Sequence, residues 1–447
     1  MKDKDNSLSD EKTKKEPRVT KIGSINVFLI LILGIAGQIA WVVENSWFNT
    51  FVFDEITPNP WPVAWMVAVS AITATFTTLI MGALSDRTRL KMGRRRPYLM
   101  FGYIIWGIIT ALFPLVSLIK VIGIAVVMVI VADAIMTFFG STANDAAYNA
   151  WITDIGDSSN RNRISSLNSI TGLVAMLVSI GLAGFIIDIY GYFNFFYILG
   201  GIVSVSGLIA GLILKEPKIS FENYHPPKKL WKEFSELLTW NNIRENKILY
   251  LLFFNMALSG IASQIYFPYL FIYFEHYLGL TKSQISIIGG LIIGGSTIAI
   301  VLIGFISHKF NRKSALILGT ITAAILLFIL GLIIDLWVLV IIYMLQTIFS
   351  MTVGAIHGGW LQDKYPEGNV GKFQGVRLIF MVLIPMIIGP LIGSIIITQF
   401  GIPVIANGES GFIPTPPLFM IGALVSLLAL IPLFFIKKIE GVIHLNK

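Results

Sequence analysis

Gly82-Ala83-Leu84-Ser85-Asp86-Arg87, followed after a short gap by Gly93-Arg94-Arg95-Arg96, is the stretch on which the reading of this chain turns. It closes a long apolar run and returns, weakened, as Gly304-Phe305-Ile306-Ser307-His308-Lys309 followed by Asn311-Arg312-Lys313. A second match keeps step with the first. Trp151-x-x-Asp154 has Arg163 nine residues beyond its Asp, and Trp360-x-x-Asp363 has Lys372 nine beyond. Two separate correspondences at equivalent places mark an internal duplication.

What is duplicated is a set of apolar runs. A helix needs about 20 residues to cross a bilayer core. Runs of that order fall at 24–52, 61–84, 97–118, 121–150, 164–189 and 193–214, then at 248–275, 283–307, 314–334, 336–358, 373–400 and 415–436. Only 13% of the 447 residues are charged and 55% are hydrophobic, with a mean hydropathy of +0.78. Soluble domains carry roughly 25% charged residues, so a water-facing surface cannot be covered here and the solvent is lipid. The expected fold is an all-α membrane protein: twelve transmembrane helices in two pseudo-symmetric six-helix bundles. The expected division is a cytoplasmic arm (1–22), an N-terminal bundle (23–214), a cytoplasmic linker (215–247), a C-terminal bundle (248–436) and a cytoplasmic tail (437–447). The first run is too long for a signal-peptide core, so it is read as a retained helix behind a disordered arm. Such repeats are the mark of a secondary transporter.

Charge sets the expected orientation. The formal net charge is +8, but the basic residues cluster between apolar runs, which speaks for membrane topology and against nucleic acid. With both termini inside, 31 of the 33 lysines and arginines fall on the inner side, leaving Lys120 and Lys282 outside. There are no cysteines, which excludes disulfides and thiolate metal sites. No phosphate-cradling Gly-Lys loop and no metal-ligand spacing stand in the sequence, and the five histidines are scattered. An enzyme, an ATP-driven pump and a bound cofactor or metal are therefore not expected.

The loop Ser85-Asp86-Arg87-Thr88-Arg89-Leu90-Lys91-Met92-Gly93-Arg94-Arg95-Arg96-Pro97-Tyr98, with its echo after the eighth run, resembles the signature of the major facilitator superfamily. In its length it resembles the glycoside–pentoside–hexuronide:cation symporters and the sucrose:proton transporters. Asn144-Asp145-Ala146-Ala147-Tyr148, with Asp154 and Arg161/Arg163 after it, resembles that family's helix-4 end. The resemblance implies that Asp145 belongs to the cation site. The sodium-using members carry two carboxylates on helix 2 where this chain has Ala74 and Thr78, so the resemblance favours H+ over Na+ as coupling ion.

Individual residues fill in this picture. A carboxylate in hydrocarbon costs at least about 2.5–3.5 kcal/mol, so it faces a cavity or a partner, or holds a proton. Glu44 lies in Trp41-x-x-Glu44-Asn45-x-Trp47-x-Asn49, where Trp41 with Glu44, and Asn45 with Asn49, share helix faces. Amides and a carboxylate beside indole rings suit a sugar, whose hydroxyls bond at the edge and whose C–H faces stack. They equally suit an interfacial tryptophan belt with asparagines bonded to a neighbouring helix. Asp133, midway along the fourth run, suits reversible proton pickup or an interhelical hydrogen bond. Glu44, Asp133 and Asp145 are the coupling candidates. Asn144, Tyr148, Gln264, Tyr266, Gln346, His357 and Trp360 are the remaining substrate-binding candidates, with His357 also readable as structural. Asp86, Arg87, Arg94, Arg95 and Arg96 form an expected cytoplasmic gate with Asp154, Arg161, Arg163, Asp363, Lys372 and Arg377. Asp154–Arg163 and Asp363–Lys372 are its expected matching latches, although positive loops alone would follow from topology.

The sequence thus predicts a monomeric, multi-pass carrier of the plasma membrane, both termini cytoplasmic, that moves a sugar or glycoside with a cation. Two alternatives keep the same fold: an exporter of amphipathic drugs or lipids, and a membrane sensor that transports nothing.

Overall fold

The computed structural model describes residues 22–156, 160–216, 239–304, 311–366 and 370–436. The expected arm and tail, most of the linker, and the 305–310 part of the repeated motif lie outside the described residues. Among the described residues eleven apolar spans cross the bundle, and the longest divides at Gly191 into two helices, making twelve. They are α1 (Ser24–Glu44), α2 (Pro60–Arg87), α3 (Arg96–Leu118), α4 (Ile122–Ile155), α5 and α6 (161–190 and 191–213), α7 (Lys247–Tyr277), α8 (Lys282–Gly304), α9 (Arg312–Leu330), α10 (Leu336–Lys364), α11 (Phe373–Phe400) and α12 (Pro417–Ile436). Helices α5 and α6 follow one another directly and are broken at Gly191, whose non-helical φ of 77° and ψ of 168° are open to glycine at little cost. The bundle surface exposes Ile198, Ile202 and Val205 on α6 and Leu424, Phe434 and Phe435 on α12, as helices facing lipid do.

Lipid gives no hydrophobic drive to bring helices together, so close backbone approach and aromatic contact must supply it. Helices α3 and α6 meet at Gly107 and Gly200. A Cβ on Gly107 would run into the Gly200 carbonyl and stand 2.5 Å from the Ser204 amide nitrogen. The Ser204 hydroxyl donates across the same contact to the Ile104 carbonyl at 3.1 Å. Beyond α1 the chain breaks at Asn45–Ser46 and re-forms as a short helix, Trp47–Glu55. Phe48 and Phe51 of that helix pack on Phe113 and Phe196 with ring centroids 4.4–5.7 Å apart, each such pair contributing about 0.5–1.5 kcal/mol.

Several boundaries differ from expectation. The first run is two helices rather than one. Helix α4 runs to Ile155 rather than 150, with a π-helical stretch at Ser141–Tyr148, and α10 runs to Lys364 rather than 358. An unanticipated hairpin stands between α11 and α12: β1 (Ile402–Ala406) pairs antiparallel with β2 (Glu409–Ile413), Pro403 opposite Phe412. Its turn, Asn407-Gly408, has φ of 56° and 79°, the positive values a two-residue hairpin turn requires.

Candidate functional site

A cavity of about 500 Å³ lies between the two bundles. Trp41, Asn45 and Ser46 line it from α1 and the break beyond it, Ser263, Gln264 and Tyr266 from α7, and Tyr343, Gln346, Thr347 and Ser350 from α10. Phe267, Leu270, Phe271 and Phe274 of α7, with Ile292 and Ile293 of α8, complete an apolar wall. No Asp, Glu, Lys, Arg or His lines the cavity among the described residues. Part of its polar capacity is held in place. The Asn45 amide donates to the Trp41 carbonyl at 2.8 Å, and the Gln346 amide donates to the Ser350 hydroxyl at 2.9 Å. Such a site offers amide and hydroxyl groups beside rings, and no charge.

The coupling candidates lie behind this wall. Glu44 points from α1 into the N-terminal bundle, where the Thr137 hydroxyl of α4 donates to its Oε1 at 2.9 Å. The Ser70 hydroxyl of α2 donates to Asp133 Oδ2 and stands 3.1 Å from the Thr137 hydroxyl. Glu44 Oε2 and Asp133 Oδ1 are buried without a partner. Asp145 sits in the π-helical stretch beside Asn144, Ser141 and Trp41. A π-bulge offsets side chains from the α-helical face and is frequent at functional sites.

Of the substrate-binding candidates, Trp41, Asn45, Gln264, Tyr266 and Gln346 face the cavity, whereas Glu44, Asn49, Asn144, Tyr148, His357 and Trp360 lie away from it. Asn49 is fully buried and donates to the Asn45 carbonyl at 3.2 Å. Tyr103 donates to Asn144 Oδ1 at 2.9 Å, and Tyr148 donates to the Ile30 carbonyl at 2.8 Å, so both residues rivet α4 to its neighbours. His357 bonds the Leu252 carbonyl at 3.0 Å, and Trp360 packs with Leu252, Phe253 and Phe373 in a second core. That core is where the last two turns of α10 go once they have passed the cavity.

At the arginine-rich end the expected latches pair differently. Asp154 takes Arg94 at 2.6 Å and Arg95 at 3.2 Å rather than Arg163, which is exposed with Arg161 at the start of α5. Arg95, only 4% exposed, also bonds Asp86 and Ser85. Asp363 pairs with Arg312; the Lys372 side chain lies outside the described residues. Arg96 donates to the Gly211 carbonyl at 2.7 Å, Arg377 bonds Gln374 at 3.2 Å, and Arg87 is exposed. Each of these pairs stays within one bundle, so in this conformation they brace the halves separately instead of latching them together. Sequence reasoning missed Glu216, whose carboxylate accepts the backbone N–H groups of Arg94, Arg95 and Arg96 at 2.6–2.7 Å and so caps α3.

The bundles are tied at the opposite end, which sequence reasoning also missed. Asp54, beyond the first crossing, receives the Tyr192 hydroxyl at 2.7 Å, His276 Nε2 at 2.8 Å and Lys282 Nζ at 2.9 Å. Lys282 also pairs with Glu275. Asp188 accepts the Ser283 amide and hydroxyl at 2.7 and 2.6 Å, and the Ser394 hydroxyl bonds the Pro60 carbonyl at 3.1 Å. The hairpin adds Asn407 on the Asp54 carbonyl and Phe412 N–H on the Pro58 carbonyl. Burial alone would raise the Asp54 carboxyl, but the His276 hydrogen bond and the Lys282 charge outweigh it and hold it below its ordinary value. Asp54, Glu275 and His276 bring ligand atoms within 4.8 Å of one another, a metal-like spacing that the linear sequence did not reveal. The Lys282 ammonium contacts both carboxylates, so these residues fit a lysine lock better than a cation site. One sequence signal pointed here: Lys282 is one of two basic residues on this side.

A family model described as the Major Facilitator Superfamily matches residues 27–277 and 252–443. No curated protein sequence matches the chain. Among solved structures, a bacterial homolog of the human lysosomal transporter Spinster is similar in fold. Its inward-facing, unoccupied form superposes with a TM-score of 0.68 at 14% identity, covering 93% of this chain and 96% of that one. The occupied form gives 0.69 at 14% identity, over 93% and 97%. A point mutant of the nucleoside transporter NupG gives 0.66 at 17% identity, over 91% and 99%. At such identities the likeness is one of fold alone.

Proposed function

The chain belongs to the Major Facilitator Superfamily, and from that premise we propose that it carries a sugar or glycoside together with a proton. The observation that carries the reading is the cavity: uncharged, about 500 Å³, lined by Asn45, Gln264 and Gln346 beside Trp41, Tyr266 and Tyr343. That volume falls in the roughly 300–1,000 Å³ range of small-molecule sites. Amides recognise hydroxyls by donating and accepting at once, and the rings accept the C–H faces of a pyranose. A charged solute would meet no counter-charge there.

Coupling is assigned to the carboxyls behind the wall, and the ion is H+ rather than Na+. Glu44 and Asp133 are approached by hydroxyls from one side only, whereas a sodium ion needs several oxygens converging on one point. Basic residues crowd the end that bears Arg94 to Arg96, so that end is cytoplasmic in the plasma membrane. With the ties at the other end, this is the inward-facing state of a monomer working by alternating access.

The test is uptake into proteoliposomes across a sugar and glycoside panel. An imposed inward pH gradient should drive accumulation of at least one sugar, and a sodium gradient should not. No accumulation of any sugar under either gradient overturns the proposal. The apolar wall of Phe267, Phe271 and Phe274 favours one rival, an exporter of amphipathic drugs or lipids; it would confer resistance on expression, which a sugar carrier would not.

A further inference from the structure

Four side chains from three helices form one line: Glu44, Thr137, Ser70 and Asp133. Thr137 Oγ1 stands 2.9 Å from Glu44 Oε1 and 3.1 Å from Ser70 Oγ, which in turn bonds Asp133 Oδ2. That makes three oxygen–oxygen contacts in series. Each needs a proton between its oxygens, and the two hydroxyls have only two to give. If Thr137 donates to Glu44 and Ser70 to Asp133, no proton is left for the contact between the hydroxyls. Two lone pairs would then face each other between two buried anions.

Nothing nearby offsets those anions. Glu44 is 6% and Asp133 1% exposed. Among the described residues neither carboxyl takes part in an ion pair. The ionisable group acting on Glu44 from the adjoining π-helical stretch is Asp145, another acid. An unpaired buried charge is costly, and two of like sign more so.

We propose that Glu44 and Asp133 are one proton site, holding a single proton that Ser70 and Thr137 relay between them. The inference rests on the proton-coupled reading above and deepens it. With one added proton the line closes in either direction. Held on Asp133, the proton is donated to Ser70, Ser70 donates to Thr137, and Thr137 donates to Glu44. A concerted shift breaks the O–H bonds of Asp133, Ser70 and Thr137 and forms new ones on Ser70, Thr137 and Glu44. It ends with Glu44 protonated, Asp133 ionised and both hydroxyls intact, so atoms and charge balance. Glu44 Oε2 and Asp133 Oδ1, buried and unpartnered, are the carboxyl oxygens outside the line. Ser70 and Thr137 are positioning residues that make two acids behave as one.

Infrared difference spectra of the full chain reconstituted in lipid, titrated with pH, read protonated carboxyls directly and need no solute. Glu44→Gln and Asp133→Asn should each remove one carboxyl band, because an amide can donate in place of the shared proton. The double variant should remove no more than either single one. A double variant that loses twice the single amplitude overturns the proposal, as do single variants that lose nothing. Should an acid variant fail to fold, Thr137→Val cuts the line while keeping the side-chain shape. It should replace the one band by two that titrate apart, and Thr137→Ser should restore the single band; an unchanged spectrum in Thr137→Val also refutes the relay. pH-driven sugar uptake is measured separately. Its absence with a shared proton present sinks the symport reading alone, and its presence with additive carboxyl losses sinks the shared proton alone.

Discussion

Replacing Asp54 by Asn should open the cavity on the side of Lys282. The carboxylate holds Lys282 and His276 of the C-terminal bundle and Tyr192 of its own. Exposed ion pairs contribute about 0–1 kcal/mol, while breaking a buried one costs roughly 3–5 kcal/mol. The Asp54 and Lys282 side chains are 12% and 13% exposed, and Lys282 keeps Glu275 after the substitution, so a loss of about 2 kcal/mol is reasonable. At about 1.4 kcal/mol per factor of ten, the opened state gains roughly 30-fold in population. The absence of cysteine makes the assay direct. Ser263→Cys places a unique thiol on the cavity wall, and a membrane-impermeant maleimide added on the Asp54 side reports opening as a labelling rate. Asp54→Asn should raise that rate roughly 30-fold; a change under about threefold refutes the assignment of Asp54 to the seal. The pH response has a definite sign. Asp54 is held below its ordinary value of 3.8 in the sealed form. Its contribution is therefore fully present above that value and is lost only as pH falls through the depressed one. Acidification that stays above 3.8 should not release the Asp54 tie.

Gly107→Ala should lower the melting temperature in detergent by an amount corresponding to about 1–3 kcal/mol, because its Cβ meets backbone. Gly201→Ala, with nothing within 4 Å of its Cβ, should leave it unchanged. Arg95→Gln should cost about 2 kcal/mol in the same assay, the buried guanidinium being discounted for an Asp86 partner that is 43% exposed. Gln346→Ala should weaken apparent solute affinity about tenfold in uptake or ligand-induced thermal shift. His357→Gln, remote from the cavity, should change that affinity less than about twofold.

The twelve crossings were legible because lipid demands about 20 apolar residues from each, a run in which a soluble chain would carry about five charges. Breaks were harder. The Asn45–Ser46 interruption and the π-helical stretch at Ser141–Tyr148 keep the hydrophobic pattern almost intact, so nothing in the one-dimensional run announces them. Asn407-Gly408 did carry a hairpin signal, hidden between two membrane runs. Within the site, spacing placed Trp41 with Glu44 on one helix face, yet a three-residue offset still leaves them about 60° apart around the axis, and Trp41 reaches the cavity while Glu44 turns to Thr137 in the bundle interior. Asp154 could be matched to Arg163 by count, whereas its partners Arg94 and Arg95 come from a loop some sixty residues away. Long-range pairing of that kind has no signature in a single chain. The same holds for Asp54 with His276 and Lys282.

The separation of the cavity from the carboxyls sets how transport and protonation can be linked. In the proposed symport no carboxyl among the described residues lines the cavity itself, Asp145 stands behind Trp41 of its wall, and the link from solute to Glu44 runs through α1. That helix presents Trp41 and the adjoining Asn45 to the solute and Glu44 to Thr137, all within one turn. A small rotation of α1 as a ring seats against Trp41 would alter the 2.9 Å Thr137–Glu44 bond. Coupling is a difference in free energy and works equally in both directions. A tenfold mutual effect needs about 1.4 kcal/mol, and one hydrogen bond contributes about 0.5–1.5 kcal/mol. Gain or loss of that single bond is therefore enough to make solute binding favour protonation about tenfold, and protonation favour solute equally. The short helix that follows the Asn45–Ser46 break carries Asp54 to the seal. One stretch of chain, 41–54, thus carries a cavity-wall residue, one acid of the proposed proton site and the inter-bundle tie in succession, with the Asn45–Ser46 break before the segment that bears the tie.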